Sequence, residues 1–153
     1  DATDTLVGKA TTDTLTNKTL TTPTIGDMTN ATHDHTDAAG GGILGTIPQR
    51  SISAAETLVL SDAGKHLLHP SADTTARIWT IPVNTSVDYP DGTAITFVNQ
   101  DSAGVLTIKI ASADVMRLAG AGTTGDRTLA ANGVATAVKV SNTEWIISGV
   151  GLT

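Results

Sequence analysis

Hydrophobic and polar positions follow two different patterns in this chain, and the change comes near residue 50. From residue 51 onward, short apolar runs alternate with turn-forming residues, which is the pattern of strands joined by turns. No stretch has the longer apolar period of a helix. The sequence therefore predicts an all-β fold, with strands at 57–60, 65–69, 77–82, 94–99, 105–110, 115–118, 134–140 and 144–149.

Two of these strands alternate clearly between apolar and polar sides. The apolar set is Leu106, Ile108 and Ile110 in one strand and Val134, Val138 and Val140 in the other. Lys109 and Lys139 lie on the opposite sides, because successive side chains of a strand point to opposite faces. Turn sequences fit between the strands at 62–64, 89–92, 101–104, 132–133 and 141–142. Residues 51–153 are thus predicted to form a β-sandwich or a β-barrel, which we call the head domain.

Residues 1–50 hold few large apolar side chains in a threonine-rich background. A nine-residue repeat is visible, because 3–11 aligns without gaps to 12–20 and matches in threonine, aspartate, leucine and lysine. Ordering a residue costs roughly 1–2 kcal/mol, which such a stretch cannot recover by folding on itself. Repeats of this kind are typical of units that stack, and here we expect stacking between chains.

Composition and charge argue against several classes of function. The net charge of −6 is spread evenly and no lysine or arginine cluster exists, so we expect no nucleic-acid partner. Cysteine is absent, which excludes disulfides and thiolate metal sites. No apolar run approaches the roughly 20 residues of a membrane span, so we expect no membrane insertion. Because residue 1 is Asp1, we expect this to be the carboxyl-terminal piece of a longer protein.

His33 and His35 form the most distinctive candidate site, ahead of the glycine run at 40–42. Two histidines one residue apart on an extended segment point to the same side. If three chains met on a threefold axis there, six imidazoles would surround one point. That geometry suits a six-coordinate ion that accepts imidazole better than zinc, calcium or magnesium. The alternative is a pair of exposed histidines that binds no metal.

Other motifs point to structure more than to chemistry. Residues 120–125 match the dinucleotide fingerprint, but a turn follows too soon for the helix it needs, so we interpret them as a loop between strands. His66 and His69 should face opposite sides of one strand, as core or interface histidines. Trp79 and Trp145 are expected to anchor the core, with sugar stacking as the alternative.

The amino-terminal part is similar to a known family. The segment 15–25, Leu-Thr-Asn-Lys-Thr-Leu-Thr-Thr-Pro-Thr-Ile, resembles one that recurs in bacteriophage tail-fibre and tail-spike proteins. His33-Asp34-His35 resembles the His-x-His motif of trimeric phage fibres. In that family the histidines of three chains hold iron on the fibre axis. The resemblance implies an intertwined homotrimeric shaft over residues 1–50, with one Fe(2+) per trimer bound by His33 and His35.

The carboxyl-terminal part resembles the small β-sandwich domains that end many phage tail proteins, from the Asp-Ala-Gly-Lys turn at 62–65 to the Trp145 strand. The resemblance implies a jelly-roll-like tip over residues 51–153. It also implies a virion protein, assembled in the host cytoplasm, that attaches to a host cell-surface receptor. No acid pair for glycoside cleavage stands out, so we expect no enzyme. The alternatives are a spike that degrades polysaccharide and a purely structural fibre.

Loops of the head domain are the expected receptor contacts, because loops on a rigid β scaffold can vary without disturbing the core. We name Asn84, Tyr89 and Asp91 as candidates. Their amide, phenol and carboxylate groups suit sugar hydroxyls. Tyr89 precedes a Pro-Asp-Gly turn and is therefore predicted to be the exposed aromatic residue.

Overall fold

The computed structural model describes residues 46–153, and every structural statement here concerns those residues. The predictions for the repeat, the trimeric shaft and the pair His33 and His35 lie outside the described residues. The first strand begins at Gln49, just before the predicted start of the head domain.

The described part of the chain is all-β, as predicted, with one short 3-10 turn at Leu60–Asp62 and no α-helix. Its nine strands are β1 Gln49–Ser51, β2 Glu56–Thr57, β3 His66–His69, β4 Arg77–Ile81, β5 Ala94–Asn99, β6 Leu106–Ile110, β7 Val115–Leu118, β8 Arg127–Ser141 and β9 Glu144–Leu152. The predicted strands 94–99 and 115–118 match β5 and β7 residue for residue. The predicted strand 57–60 is cut short by the 3-10 turn.

The nine strands form one curled sheet with β8 as its central strand. One arm runs outward from β8 as β5, β3 and β1, and we call it the odd arm. The other runs as β6, β4 and β2, and we call it the even arm. The first residues of β8 pair with β6 and residues 133–138 pair with β5. The second edge of β8 carries β9, which in turn pairs with β7.

Five of the eight strand pairings are parallel. The reason is that strands consecutive in the chain lie in opposite arms up to β6. The predicted turns at 62–64, 89–92 and 101–104 therefore carry the chain between arms and do not close hairpins. Jelly rolls are built from antiparallel strands, so the arms differ from the predicted jelly-roll-like pattern in the direction of pairing. The turn at 141–142 does join antiparallel neighbours, β8 and β9.

A bend inside β8 joins the two arms, and it coincides with the predicted turn at 132–133. Asn132 has a φ of 62°, and the register with β9 shifts between Leu129 and Val134. Asparagine tolerates this left-handed conformation better than most residues. The bend allows one strand to pair first with β6 and then with β5, so the turn signal marks a local irregularity within a strand.

The core lies between the two arms and is organised by aromatic side chains. The ring of Trp79 in β4 lies 6.3 Å from Phe97 in β5, between centroids, and 5.9 Å from His69 in β3. Tyr89 meets Trp145 edge to face at 5.6 Å. Both tryptophans are fully buried, which confirms their predicted role as core anchors. Aliphatic residues fill the space around them: Leu58, Leu67, Ile81, Ile95, Leu106, Ile108, Met116, Leu129 and Ile147.

The two alternating strands, β6 and β8, differ in the side that faces the core: the apolar side in β6 and the side that carries the lysine in β8. In β6 the leucine and isoleucines face inward and Lys109 is exposed. In β8 the three valines are exposed, whereas Ala135, Ala137 and Lys139 are buried. The inward positions of β8 pair with Phe97 and Ile95 of β5 on one side and with Trp145 and Ile147 of β9 on the other. These large neighbours fill the interior, so small alanines fit between them and the valines face outward.

Candidate functional site

Loops lie at two ends of the sheet, and the described chain begins at one of them. The carbonyl of Pro48 accepts a hydrogen bond of 2.9 Å from the backbone N–H of His66, at the start of β3. We call this the proximal end. It also carries the loops 58–65, 82–93, 111–114 and 141–143, because β2, β4, β6 and β8 all end there. The opposite, distal end carries the loops 70–76 and 100–105 and the bend of β8.

The predicted receptor contacts Asn84, Tyr89 and Asp91 all belong to loop 82–93, at the proximal end. The backbone N–H of Asn84 donates to the Asp114 carboxylate at 2.9 Å. The Asn84 side-chain oxygen accepts a hydrogen bond from the ammonium of Lys139, which also donates to the Tyr89 carbonyl. Asn84 is therefore tied to a buried lysine, while Asp91 is exposed to solvent.

Tyr89 corrects a prediction, because its side chain is only 1% exposed. Its hydroxyl donates to the carbonyl of Val59 at 2.7 Å, and burial raises the pKa of the phenol well above its ordinary value. The Pro-Asp-Gly turn exposes Pro90 and Asp91 but directs the preceding ring inward against Trp145. A buried phenol cannot reach a sugar, so the predicted exposure of Tyr89 is wrong.

An ion pair fixes the proximal end around the first strand. Arg50 in β1 donates to both carboxylate oxygens of the fully buried Asp62, at 3.0 and 2.9 Å, and also pairs with Glu56. Asp62 accepts a further hydrogen bond from the backbone N–H of Val59, at 3.0 Å. The predicted turn at 62–64 thus has a second role, because its aspartate ties the loop after β2 to the strand at which the described chain begins.

The distal end presents a set of polar groups that we call the distal platform: Ser71, Gln100, Asp101, Ser102 and Asn132. The Asn132 amide donates to Asp101 at 2.9 Å, across the gap between loop 100–105 and the bend of β8. The Ser102 hydroxyl donates to the second Asp101 oxygen at 3.2 Å, and these bonds, that from Asn132 most of all, hold the pKa of Asp101 below its ordinary value. The Gln100 side chain accepts from the Ser71 backbone N–H at 2.9 Å.

A buried polar network supports the distal platform from below. His69 Nδ1 lies 2.9 Å from the Asn99 side-chain oxygen, and Nε2 lies 3.1 Å from Asp73. Asp73 is also held by Arg77, through contacts of 2.7 and 3.1 Å, and this guanidinium keeps the pKa of Asp73 far below its usual range. The Asn99 amide donates to the carbonyls of Gly104 and Leu129 at 3.0 and 2.9 Å. One network therefore connects loop 70–76, loop 100–105 and β8.

The remaining sequence candidates have structural explanations. His66 and His69 face opposite sides of β3, as predicted, and His69 belongs to the core. Within residues 46–153, no three histidine or acidic side chains come close enough to hold a metal ion. Residues 120–125 lie between β7 and β8, which confirms a loop between strands because no helix follows them.

Comparison with known proteins adds no relative. No protein-family model matches the chain, and no curated protein matches it. The part of the chain that the structure describes contains no helix long and apolar enough to cross a membrane.

The sequence did not predict the distal platform as a site, although it predicted the turns that form part of it. The residues 101–104 and 132–133 were both predicted as turns, and turns on a β scaffold are frequent contact sites. Asp101 and Asn132 are separated by 31 positions in the chain, and only the folded sheet brings them to 2.9 Å. No local pattern reports such a pairing.

Proposed function

We propose that this chain is the receptor-binding end of a bacteriophage tail fibre, which attaches the virion to a polysaccharide on the host cell surface. In this proposal three copies assemble in the host cytoplasm through residues 1–50, and residues 51–153 form the head. The distal platform is the observation that supports it. Hydroxyl, amide and carboxylate groups converge there on loops of a rigid sheet, and such groups recognise sugar hydroxyls.

Rigidity is the physical reason to favour the distal platform over the proximal loops. The buried network of His69, Asp73, Arg77 and Asn99 fixes the loops before a ligand arrives, so binding need not supply the cost of ordering them. At the proximal end, the Asn84 side chain is already engaged by Lys139. Asp91 stays free to contact a ligand there, and it remains the alternative contact together with Asn84.

The place where the chain enters the head also favours the distal platform as the contact site. Residue 46 lies at the proximal end, so the chain that would form the shaft joins the head there. The distal platform lies at the opposite end of the sheet from this connection. The two arms of the sheet would then be the two layers of the predicted β-sandwich, with Trp79 and Phe97 between them.

Only the sequence supports the iron ion that we propose. His33 and His35 would hold one Fe(2+) per trimer through neutral imidazoles, and the ion would supply a crosslink between three chains. The distal platform does not depend on this metal.

Adsorption of full-length protein to host cells tests the proposal, with two sets of substitutions compared. The distal set is Gln100→Ala, Asp101→Ala and Asn132→Gly, where glycine retains the positive φ of Asn132. The proximal set is Asn84→Ala and Asp91→Ala. We expect the distal set to reduce adsorption at least tenfold, about 1.4 kcal/mol, and the proximal set to leave it near the wild-type level.

Each outcome of this comparison has a separate meaning. If only the proximal set loses adsorption, the attachment function stands and the receptor contact lies at Asn84 and Asp91. Wild-type protein that binds neither cells nor isolated host polysaccharide contradicts the function itself. Release of reducing ends from the polysaccharide would instead identify the protein as a degrading spike.

A further inference from the structure

Nine outward-facing residues of β5, β8 and β9 form a grid, which we call the valine face. The strand register places them in three rows: Ala94, Val138 and Ile146; Thr96, Thr136 and Ser148; Val98, Val134 and Val150. Val150 is 81% exposed, and Val134, Val138 and Ile146 are 36–46% exposed. Val140 extends the face along β8 with 44% exposure. Apolar side chains grouped in this way on a surface mark an interaction site.

The chemistry of the valine face is that of a protein interface. None of its nine side chains carries a charge. The central threonines already pair with each other, with 3.1 Å between the hydroxyl oxygens of Thr96 and Thr136, which lowers the cost of covering them. At one border the face ends in the ion pair of Arg117 and Glu144, at 2.5 Å. An uncharged surface with charged residues at its border fits an interface between proteins, whose core is depleted of charge.

The occupant must approach the valine face from the front. β8 is paired along both edges, and the adjoining strands β5 and β9 are paired as well, with β3 and β7. Because β9 pairs with β7 over Glu144–Ile147, an added peptide strand finds no free backbone along β5, β8 or this part of β9. A polysaccharide fits no better, because the nine residues include no aromatic ring and no carboxylate or amide side chain.

We infer that the occupant is the same face of two other copies of this chain, with β8 of each copy nearest a common axis. This inference rests on the proposed trimer and assigns its contact surface. An uncharged face suits a copy of itself, since a chain of net charge −6 would otherwise repel its copies. Short β-branched side chains also keep the face flat, which allows sheets to approach closely.

The size of the valine face explains why the preceding residues are needed. Three strands about 4.8 Å apart, over about five residues of 3.3 Å, cover on the order of 250 Å² in projection. A stable interface buries roughly 800 Å² on each partner. In the proposed trimer the valine face therefore supplies only part of the contact, and the residues that precede the head are needed as well.

The test is the solution mass of the 153-residue chain with a charge placed on the valine face. Val138→Glu and Val134→Glu are compared with Ile78→Glu and Val105→Glu, which change apolar residues of similar exposure, 48% and 49%, elsewhere on the surface. We expect wild type and both controls to have three times the chain mass of 15.5 kDa. At a dilution at which wild type and both controls stay trimeric, the two face variants should be largely dissociated, while circular dichroism still shows a β fold.

A second measurement covers the case in which the face variants do not fold. The chain has no cysteine, so Val138→Cys or Ile78→Cys introduces a single thiol. Mild oxidation should link two copies through Val138→Cys, visible as a dimer band without reductant, and should not link them through Ile78→Cys.

Three results overturn the inference. The first is a face variant that stays trimeric while Val138→Cys fails to link. The second is a wild-type protein that is monomeric at all concentrations. The third is an unchanged mass together with faster protease cleavage within residues 1–45 of Val138→Glu, which would show that the chain covers the face with its own segment. Adsorption to cells is measured separately, so the attachment function can stand when this interface fails, and the reverse.

Discussion

At the scale of single residues, buried polar side chains stabilise this fold more than the sequence pattern suggests. Lys139 was assigned to a polar face, yet it is only 2% exposed and donates to Asn84 and to the Tyr89 carbonyl. Its ammonium lies 3.9 Å from the exposed Asp88, too far for a hydrogen bond. A buried lysine is tolerated when its donors are satisfied in this way. Lys139 thereby fixes the proximal loop 82–93.

At the same scale, the contact of Asp73 with Arg77 predicts how the stability of the protein changes at acid pH. Its pKa is depressed in the folded protein, chiefly by Arg77, so the folded state keeps it ionised where the unfolded chain binds a proton. Its contribution to stability is therefore complete above about pH 5 and is lost as the pH falls below the ordinary aspartate value of about 3.9. We expect Asp73→Asn to lose less stability than wild type between pH 6 and pH 3, measured by urea unfolding.

The control for Asp73→Asn is Asp91→Asn, which removes the same charge from an exposed turn. It should keep the pH dependence of the wild type. Equal slopes of stability against pH for wild type and Asp73→Asn would show that the Arg77 contact has no energetic role.

At the scale of elements, β8 and β9 approach each other so closely at Gly149 that no side chain fits between them. A Cβ added to Gly149 would lie 2.3 Å from the Val134 carbonyl oxygen and 2.5 Å from the Ala135 Cα, both backbone atoms. Neither can move without separating the two strands. We expect Gly149→Ala to lower the free energy of unfolding by about 3 kcal/mol, at the upper end for overpacking.

Ser148→Ala is the matched control for Gly149→Ala, because it changes the neighbouring exposed residue of the same strand. It should change stability by no more than about 0.5 kcal/mol. Urea midpoints at fixed protein concentration compare the two variants, and similar midpoints would mean that the strands separate easily at this point.

At the scale of the whole molecule, we expect the iron clamp predicted from His33 and His35 to stabilise the trimer. Elemental analysis of purified wild-type protein should find about one metal ion per three chains. The double change His33→Ala and His35→Ala should remove the metal and lower the temperature at which the trimer dissociates, and chelation of wild type should act in the same direction. Asp34→Ala tests for local damage, because the side chain of Asp34 would point away from the two histidines if this segment is extended, as the clamp requires.

A metal-free wild type that dissociates at the same temperature as the double variant would contradict the clamp. The valine face does not depend on this result, since its test uses substitutions in β8. A trimer held by the head and the threonine-rich repeat without metal is therefore a distinguishable outcome.

The sequence by itself determined most of the strands and the anchors of the core, but not β1 or the first part of β8. Period-two alternation and turn residues are local signals, so β5 and β7 could be placed to the residue and helices could be excluded. Trp79 and Trp145 were predicted as anchors because a chain with four aromatic residues has few other large side chains to bury. These features depend on residues close together in the chain.

Only the tertiary structure decided which strands pair and which faces are covered. Parallel pairing within each arm arises because consecutive strands lie on opposite sides of the core, and no turn sequence encodes that choice. The same applies to β8, whose valines face outward because Phe97 and Trp145, from strands distant in sequence, already fill the interior. Tyr89 is buried and Asp101 meets Asn132 for the same physical reason: burial and contact depend on neighbours that are close in space and far apart in the chain.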